Sequence, residues 1–415
     1  MKQRLKGLLA LVLSLVMVFA LATNAWATVS IGGQELASGV AFSGAQGTAT
    51  YNDATSTLTL ENFAYNGSDG ITATENLTID LIGNNTVTYS GSSGNASVSV
   101  NGNLTITSSD PSAKLTADFN TNSGNANGGG IEATNLTIEG GTVSAAAAGT
   151  NSHGIEATNA VSITGGTVTA EGDTHGLSAS NVNIEGGTVT ATGDEDCGIY
   201  TKDGNVTISG GTVKATGDAY GIFANNVSHS GGMKVTISGG AVTANAADNG
   251  GIGIYANGGE IAISGTNTEV TVGCATGLKA STVNILENST VKINAALTAI
   301  DSNTLNMGSD PWYQWSTNNP GETTPISSAT KAFALNNYGG TGQNPVPTSF
   351  TIEKISTGGP ATPQPPTYYP IYIPTVEDEP EKAEAAPTFD GGIASAVVVT
   401  ILSATGGAWL AKKKD

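Results

Sequence analysis

Residues 154–170 read Gly-Ile-Glu-Ala-Thr-Asn-Ala-Val-Ser-Ile-Thr-Gly-Gly-Thr-Val-Thr-Ala, and residues 176–191 read Gly-Leu-Ser-Ala-Ser-Asn-Val-Asn-Ile-Glu-Gly-Gly-Thr-Val-Thr-Ala. The second phrase is the first with small changes. Its opening glycine recurs at Gly130, Gly154, Gly176, Gly198, Gly221, Gly253 and Gly277, at steps of 24, 22, 22, 23, 32 and 24 residues. Each unit holds three short segments whose apolar residues lie two apart, as in Leu177 and Ala179, Val182 and Ile184, and Val189 and Ala191. That spacing puts both side chains on one face of a strand. A repeat of this length, made of three such strands, predicts a β-solenoid. Gly-Gly before Thr-Val supplies a tight corner that a β-carbon would resist. No segment has a 3.6-residue period, which excludes a helical array. Parallel strands joined by crossovers wind right-handed. The expected fold class is therefore all-β, a right-handed parallel β-helix of about nine to ten coils over residues 69–307.

Working outward, residues 28–68 read as an N-terminal β cap, with strands at Val29-Ser30-Ile31, Thr48–Tyr51 and Ser56–Leu60. A solenoid end left uncovered is an open sheet edge that invites aggregation. Residues 308–356 form a C-terminal capping region carrying Trp312, Tyr313 and Trp315. Residues 357–390 are a Pro-rich acidic linker, which favours extended polyproline II at about 3.1 Å per residue.

The two ends carry topogenic signals. Lys2, Arg4 and Lys6 precede an uncharged run, and Ala25-Trp26-Ala27 follows, so residues 1–27 read as a secretory signal peptide. Gly391 to Ala411 carry no charge and lead into Lys412-Lys413-Lys414, so residues 391–415 read as a transmembrane helix with a cytoplasmic Lys tail. Stalk, apolar span and Lys tail together resemble the cell-wall sorting region of Gram-positive surface proteins. Pro387-Thr388-Phe389-Asp390-Gly391 stands where those proteins carry LPxTG, which favours a simple membrane span. The expected location is the cell surface.

Formal net charge is −19, and Arg4 is the only arginine. Residues 28–390 hold 33 Asp and Glu against 9 Lys. Such a surface repels nucleic-acid phosphates and anionic lipid, so no nucleic-acid partner is expected. Neutral glycans, cationic partners and Ca²⁺ remain open. The two cysteines, Cys197 and Cys274, fall about three coils apart, roughly 14 Å at strand spacing. That is too far for a disulfide. With no CxxC spacing and no clustered histidines, the sequence predicts no metal site at either thiol.

The Thr48-to-Asn62 opening and the Asn-Leu-Thr-Ile coils at residues 76–79, 103–106 and 135–138 look like those of pectate-lyase-like β-helical surface proteins of gut Gram-positive bacteria. The resemblance covers roughly residues 29–355 and implies carbohydrate binding for some members. Enzymes of that fold would use an Arg or Lys base and an Asp cluster holding Ca²⁺. Here the exported part has no Arg, and Lys202, Lys214, Lys234, Lys279 and Lys292 are scattered.

Three sets of residues are candidates for function. Tyr200, Phe223 and Tyr255 follow the inward Ile on three successive coils, with Tyr220 beside them, and exposed aromatics in line could stack on sugar rings. Trp312, Tyr313 and Trp315 either plug the end of the solenoid or form a second platform. Asp173, Asp194, Asp196 and Asp218, with Glu171 and Glu195, share one corner of three coils, where Ca²⁺ could bridge them. His153 and His175 share a repeat slot with Cys197, Tyr220 and Thr276, and position in the repeat explains them without catalysis. The expected function is a non-catalytic surface protein that binds an extracellular glycan or a ligand on a host or neighbouring cell. The competing classes are a polysaccharide lyase or glycoside hydrolase, and a structural surface spacer.

Overall fold

The structure, a computed structural model, describes residues 28–91, 96–120, 128–228, 231–286 and 289–307, together with the strand segments 313–317, 324–325, 331–333, 349–354, 398–401 and 408–411. Each strand of the repeat pairs in parallel with the strand one turn before it and the strand one turn after it. Ile155 lies beside Leu177, then Ile199, Ile222, Ile254, Leu278 and Ile300. Val161, Val182, Val206, Val235 and Ile261 make a second column, and Val168, Val189, Val213, Val242 and Val270 a third. Three parallel sheets result, wound as a right-handed-type β-solenoid of about ten turns. These columns fill the interior, and nearly every member is fully buried. Thr201 is the one polar residue among the expected inward positions, and its hydroxyl donates to the Gly204 carbonyl at 3.0 Å.

The corner before the third sheet explains the Gly-Gly pair. Gly187 has φ +78°, and Gly141, Gly166, Gly211 and Gly240 fall within a few degrees of it. A β-carbon on Gly187 would come within 2.6 Å of the Gly166 carbonyl oxygen one turn away. Glycine is needed here for both conformation and space. At the corner between the third and first sheets, Gly176 packs directly on the third sheet, where a β-carbon would lie 2.4 Å from the Thr192 nitrogen. The remaining corner is held by asparagines. Asn76 Oδ1 accepts from the Asn103 N–H at 2.8 Å, and Asn181 Oδ1 from the Asn205 N–H at 3.1 Å. The 32-residue step holds a longer loop that Asp203 pins, its Oδ1 accepting from the Val227 and Ser228 N–H groups at 2.6 and 2.8 Å.

Antiparallel strands lie along the outermost turns. Val29–Ile31 pairs with Ile71–Ala73, and Gln46–Asn52 pairs with Thr57–Gly67. The latter strand is longer than the sequence suggests. It already runs parallel to the first turn, residues 57–61 beside 78–82 and 64–67 beside 86–89. Solenoid register therefore begins before residue 69. The buried Asn85 ties these layers together, accepting from the Phe63 N–H at 2.8 Å and donating to the Lys114 carbonyl at 3.0 Å. Beyond the last turn, Lys331–Phe333 and Ser349–Lys354 pair antiparallel with residues 305–307 and 291–294.

The chain divides into two units, Met1–Pro363 and Gln364–Asp415. In the second, Val398–Ile401 pairs antiparallel with Ala408–Ala411, where the sequence suggests one apolar helix. The first of these strands, Val-Val-Thr-Ile, is β-branched throughout, which favours a strand. Among the described residues no helix is long and apolar enough to cross a membrane. The signal segment 1–27, the Pro-rich linker 357–390 and the rest of 391–415 lie outside the described residues.

Gly187→Ala should lower stability by about 1–2 kcal/mol from the left-handed backbone alone, and by more through the displaced Gly166 carbonyl. Thr190→Ala, on the outer side of the same strand, should cost under about 0.5 kcal/mol. Urea unfolding followed by circular dichroism checks both.

Candidate functional site

The outward side of the first sheet carries two adjacent rows. In one, register aligns Glu132, Glu156, Ser178, Tyr200, Phe223, Tyr255, Lys279 and Asp301 on successive turns. In the other it aligns Gly129, His153, His175, Cys197, Tyr220 and Ile252. The second row precedes the glycine that folds against the third sheet, and its rings meet the first row on the outside.

The expected aromatic line is present, and it is longer and less open than the sequence suggests. His153 stacks on His175 at 5.0 Å, and His175 stacks on Tyr200 at 4.4 Å. Ser178, small and buried, occupies the position beside Tyr200 in its own row. Tyr200 meets Phe223 edge-on at 5.8 Å, and Phe223 stacks on Tyr255 at 4.9 Å with planes 4° apart. Tyr220 covers Phe223 at 4.3 Å, leaving Phe223 only 9% exposed. Lys279 ends the series, its Nζ 5.7 Å from the Tyr255 ring centre while it pairs with Asp301 at 3.3 Å. The rings spend most of their faces on one another, so what meets solvent is chiefly edges and hydroxyls. A chain of amides runs alongside: Asn225 Nδ2 donates to the Tyr200 hydroxyl at 3.2 Å, and Asn257 Nδ2 donates to Asn225 Oδ1 at 3.0 Å. The Tyr255 hydroxyl donates to Asn257 Oδ1 at 3.2 Å.

Tyr313 and Trp315 belong to Tyr313–Thr317, which pairs with Ser349–Lys354 beyond the last turn of the third sheet. Trp312 lies outside the described residues.

The four aspartates do not converge either. Asp173 Oδ2 accepts from the Gly149 N–H at 2.7 Å, and Asp194 is exposed. Among the described residues the one group of three or more His, Cys, Asp or Glu able to share an ion is His175, Asp196 and Cys197, with ligand atoms all within 4.8 Å of one another. Asp196 therefore lies beside a histidine and a thiol for which the sequence predicts no metal site. Cys197 is fully buried, and burial pushes its thiol far above the usual range, the Asp196 carboxylate adding to this. Burial also raises Asp196 and lowers His175 to about 4, with His153 adding to the latter.

At the other end of the first row, Glu132 and Glu156 are neighbours on adjacent turns. Burial, and then the Glu156 carboxylate, push Glu132 up to about 7. His153 Nε2 lies 4.0 Å from Glu156 Oε2. This carboxyl pair carries no short motif, and its one sequence signal is a 24-residue spacing that matches one repeat step.

No family model, no curated protein and no solved structure matches the chain. The parallel solenoid is consistent with a pectate-lyase-like β-helix, and the likeness is one of architecture.

Because Glu132 holds its proton more tightly folded than unfolded, its contribution to stability is complete below about pH 4.5 and is lost as pH rises through about 7. Glu132→Gln should remove that loss, leaving the variant about 2–3 kcal/mol less sensitive to a rise from pH 5 to pH 8. Urea unfolding at the two pH values measures it.

Proposed function

We propose that this chain is a cell-surface binding protein whose first sheet presents its outer face to an extracellular glycan, or to a ligand on a host or neighbouring cell, without catalysing a reaction. The observation that carries the reading is the unbroken row Tyr200, Phe223, Tyr255 and Lys279, flanked by Tyr220 and by the Asn225–Asn257 amide chain. Because the rings stack on one another, a sugar would meet hydroxyls, amides and ring edges. Trp312, Tyr313 and Trp315 would add a separate contact past the last turn. Residues 1–27 and 391–415 would export and tether the chain, with the Pro-rich segment between as a stalk.

The non-catalytic part of the reading has its own support. A lyase needs a basic side chain free to take a proton, and residues 28–415 contain no arginine. Lys234, Lys279 and Lys292 are paired with Glu260, Asp301 and Glu269 at 2.9, 3.3 and 3.3 Å. The spacer reading also has an observation in its favour, since stacked rings stabilise a sheet by themselves.

A glycan array probed with the exported chain, alongside a reducing-sugar release assay, tests this. The expected result is retention of at least one neutral glycan without sugar release, weakened at least tenfold by Tyr220→Ala with Tyr255→Ala. Sugar release would establish an enzyme. Retention of no ligand by wild type would leave the spacer.

A further inference from the structure

We propose that His175, Asp196 and Cys197 form a binding site for a borderline-soft divalent transition metal, zinc above all. The three donors come from two adjacent turns. His175 and Cys197 are register partners on the first sheet, and Asp196 precedes Cys197 at the corner. Backbone bonds fix that corner, the Cys197 N–H donating to the Thr174 carbonyl at 3.1 Å and the Ala219 and Tyr220 N–H groups to the Asp196 carbonyl at 3.0 Å each.

His175 points to the ligand. It is only 7% exposed, and its Nδ1 is buried with no hydrogen-bond partner. Leaving such a nitrogen unpaired is costly. Its ring faces are taken by His153 and Tyr200, which hold the imidazole in one plane. Nδ1 faces Asp196 Oδ2 at 3.7 Å, too long for a hydrogen bond. Two donors bound to one tetrahedral zinc ion stand roughly 3.3–3.6 Å apart, given metal–ligand lengths of about 2.0–2.3 Å. The His–Asp gap is close to that separation, and all three ligand atoms already lie within 4.8 Å of one another.

Charge favours the same assignment. A divalent ion with one carboxylate, one thiolate and a neutral imidazole sums to zero, which a buried site tolerates. On binding, Cys197 releases its thiol proton and the sulfur takes the metal. A mixed N, O and S donor set suits zinc better than calcium or magnesium, which prefer oxygen alone. Three protein ligands leave a fourth position for water or a substrate atom.

The test is a cobalt(II) titration of the full chain, Co²⁺ serving as the coloured stand-in for Zn²⁺. The expected result is one ion per chain, a thiolate-to-cobalt charge-transfer band, proton release on binding and displacement by Zn²⁺. Cys197→Ser should abolish the band while Cys274→Ser keeps it. If Cys197→Ser fails to fold, Asp196→Asn, at a half-buried position, should weaken binding at least about tenfold, since even outer-shell losses cost that much. Absence of a charge-transfer band with wild-type protein at millimolar cobalt overturns the proposal. So does a band that survives Cys197→Ser or is lost in Cys274→Ser, or binding that Asp196→Asn leaves unchanged.

Discussion

Each turn of this molecule lies directly on the one before, residue over residue, at a strand spacing of about 4.8 Å. Every other feature answers to that requirement. Columns of Ile, Val and Ala face inward because equivalent side chains must nest on their own kind. The chain closes the corner before the third sheet with glycine because a β-carbon at Gly187 would meet the Gly166 carbonyl of the turn below. No turn has anything to pack against except its neighbours, so stability is a sum of interfaces and has no single centre.

Most of the architecture can be read from the residues. The Gly-Gly-Thr-Val corners, the three pairs of inward residues per unit and the count of turns all follow from period and alternation. The start of the solenoid does not. Leu58 and Leu60 alternate as a hairpin strand would, and the hairpin with Gln46–Asn52 exists. Residues 57–67 also pair in parallel with two strands of the next turn, a long-range register that local alternation does not encode. The strands beyond residue 307 lack the repeat altogether, so nothing periodic announces which edge they will cover.

The candidate face was legible in outline for the same reason. Tyr200, Phe223 and Tyr255 align because their spacing follows the repeat. Their self-stacking follows from strand spacing itself, which matches the distance at which aromatic rings pack. The cluster of His175, Asp196 and Cys197 escapes motif reading because His175 lies 21 and 22 residues before the adjacent pair Asp196–Cys197, a repeat step and not a short metal-ligand spacing. Their approach depends on register and on the glycine corner that follows the slot. Corner aspartates, conversely, align in sequence yet diverge in space, since corner side chains are free to find local partners, as Asp173 does with Gly149.

Antiparallel strands pair along the first and last turns of the solenoid. A parallel solenoid would otherwise present, at each end, the edges on which a further coil could be added, from its own chain or from another. Val29–Ile31 and Gln46–Asn52 at one end, and Lys331–Phe333 and Ser349–Lys354 at the other, already occupy edges there. The number of coils is a quantity written in the gene. About ten turns at about 4.8 Å make a ruler on the order of 50 Å, whose reach can change by whole repeats without redesign of either end.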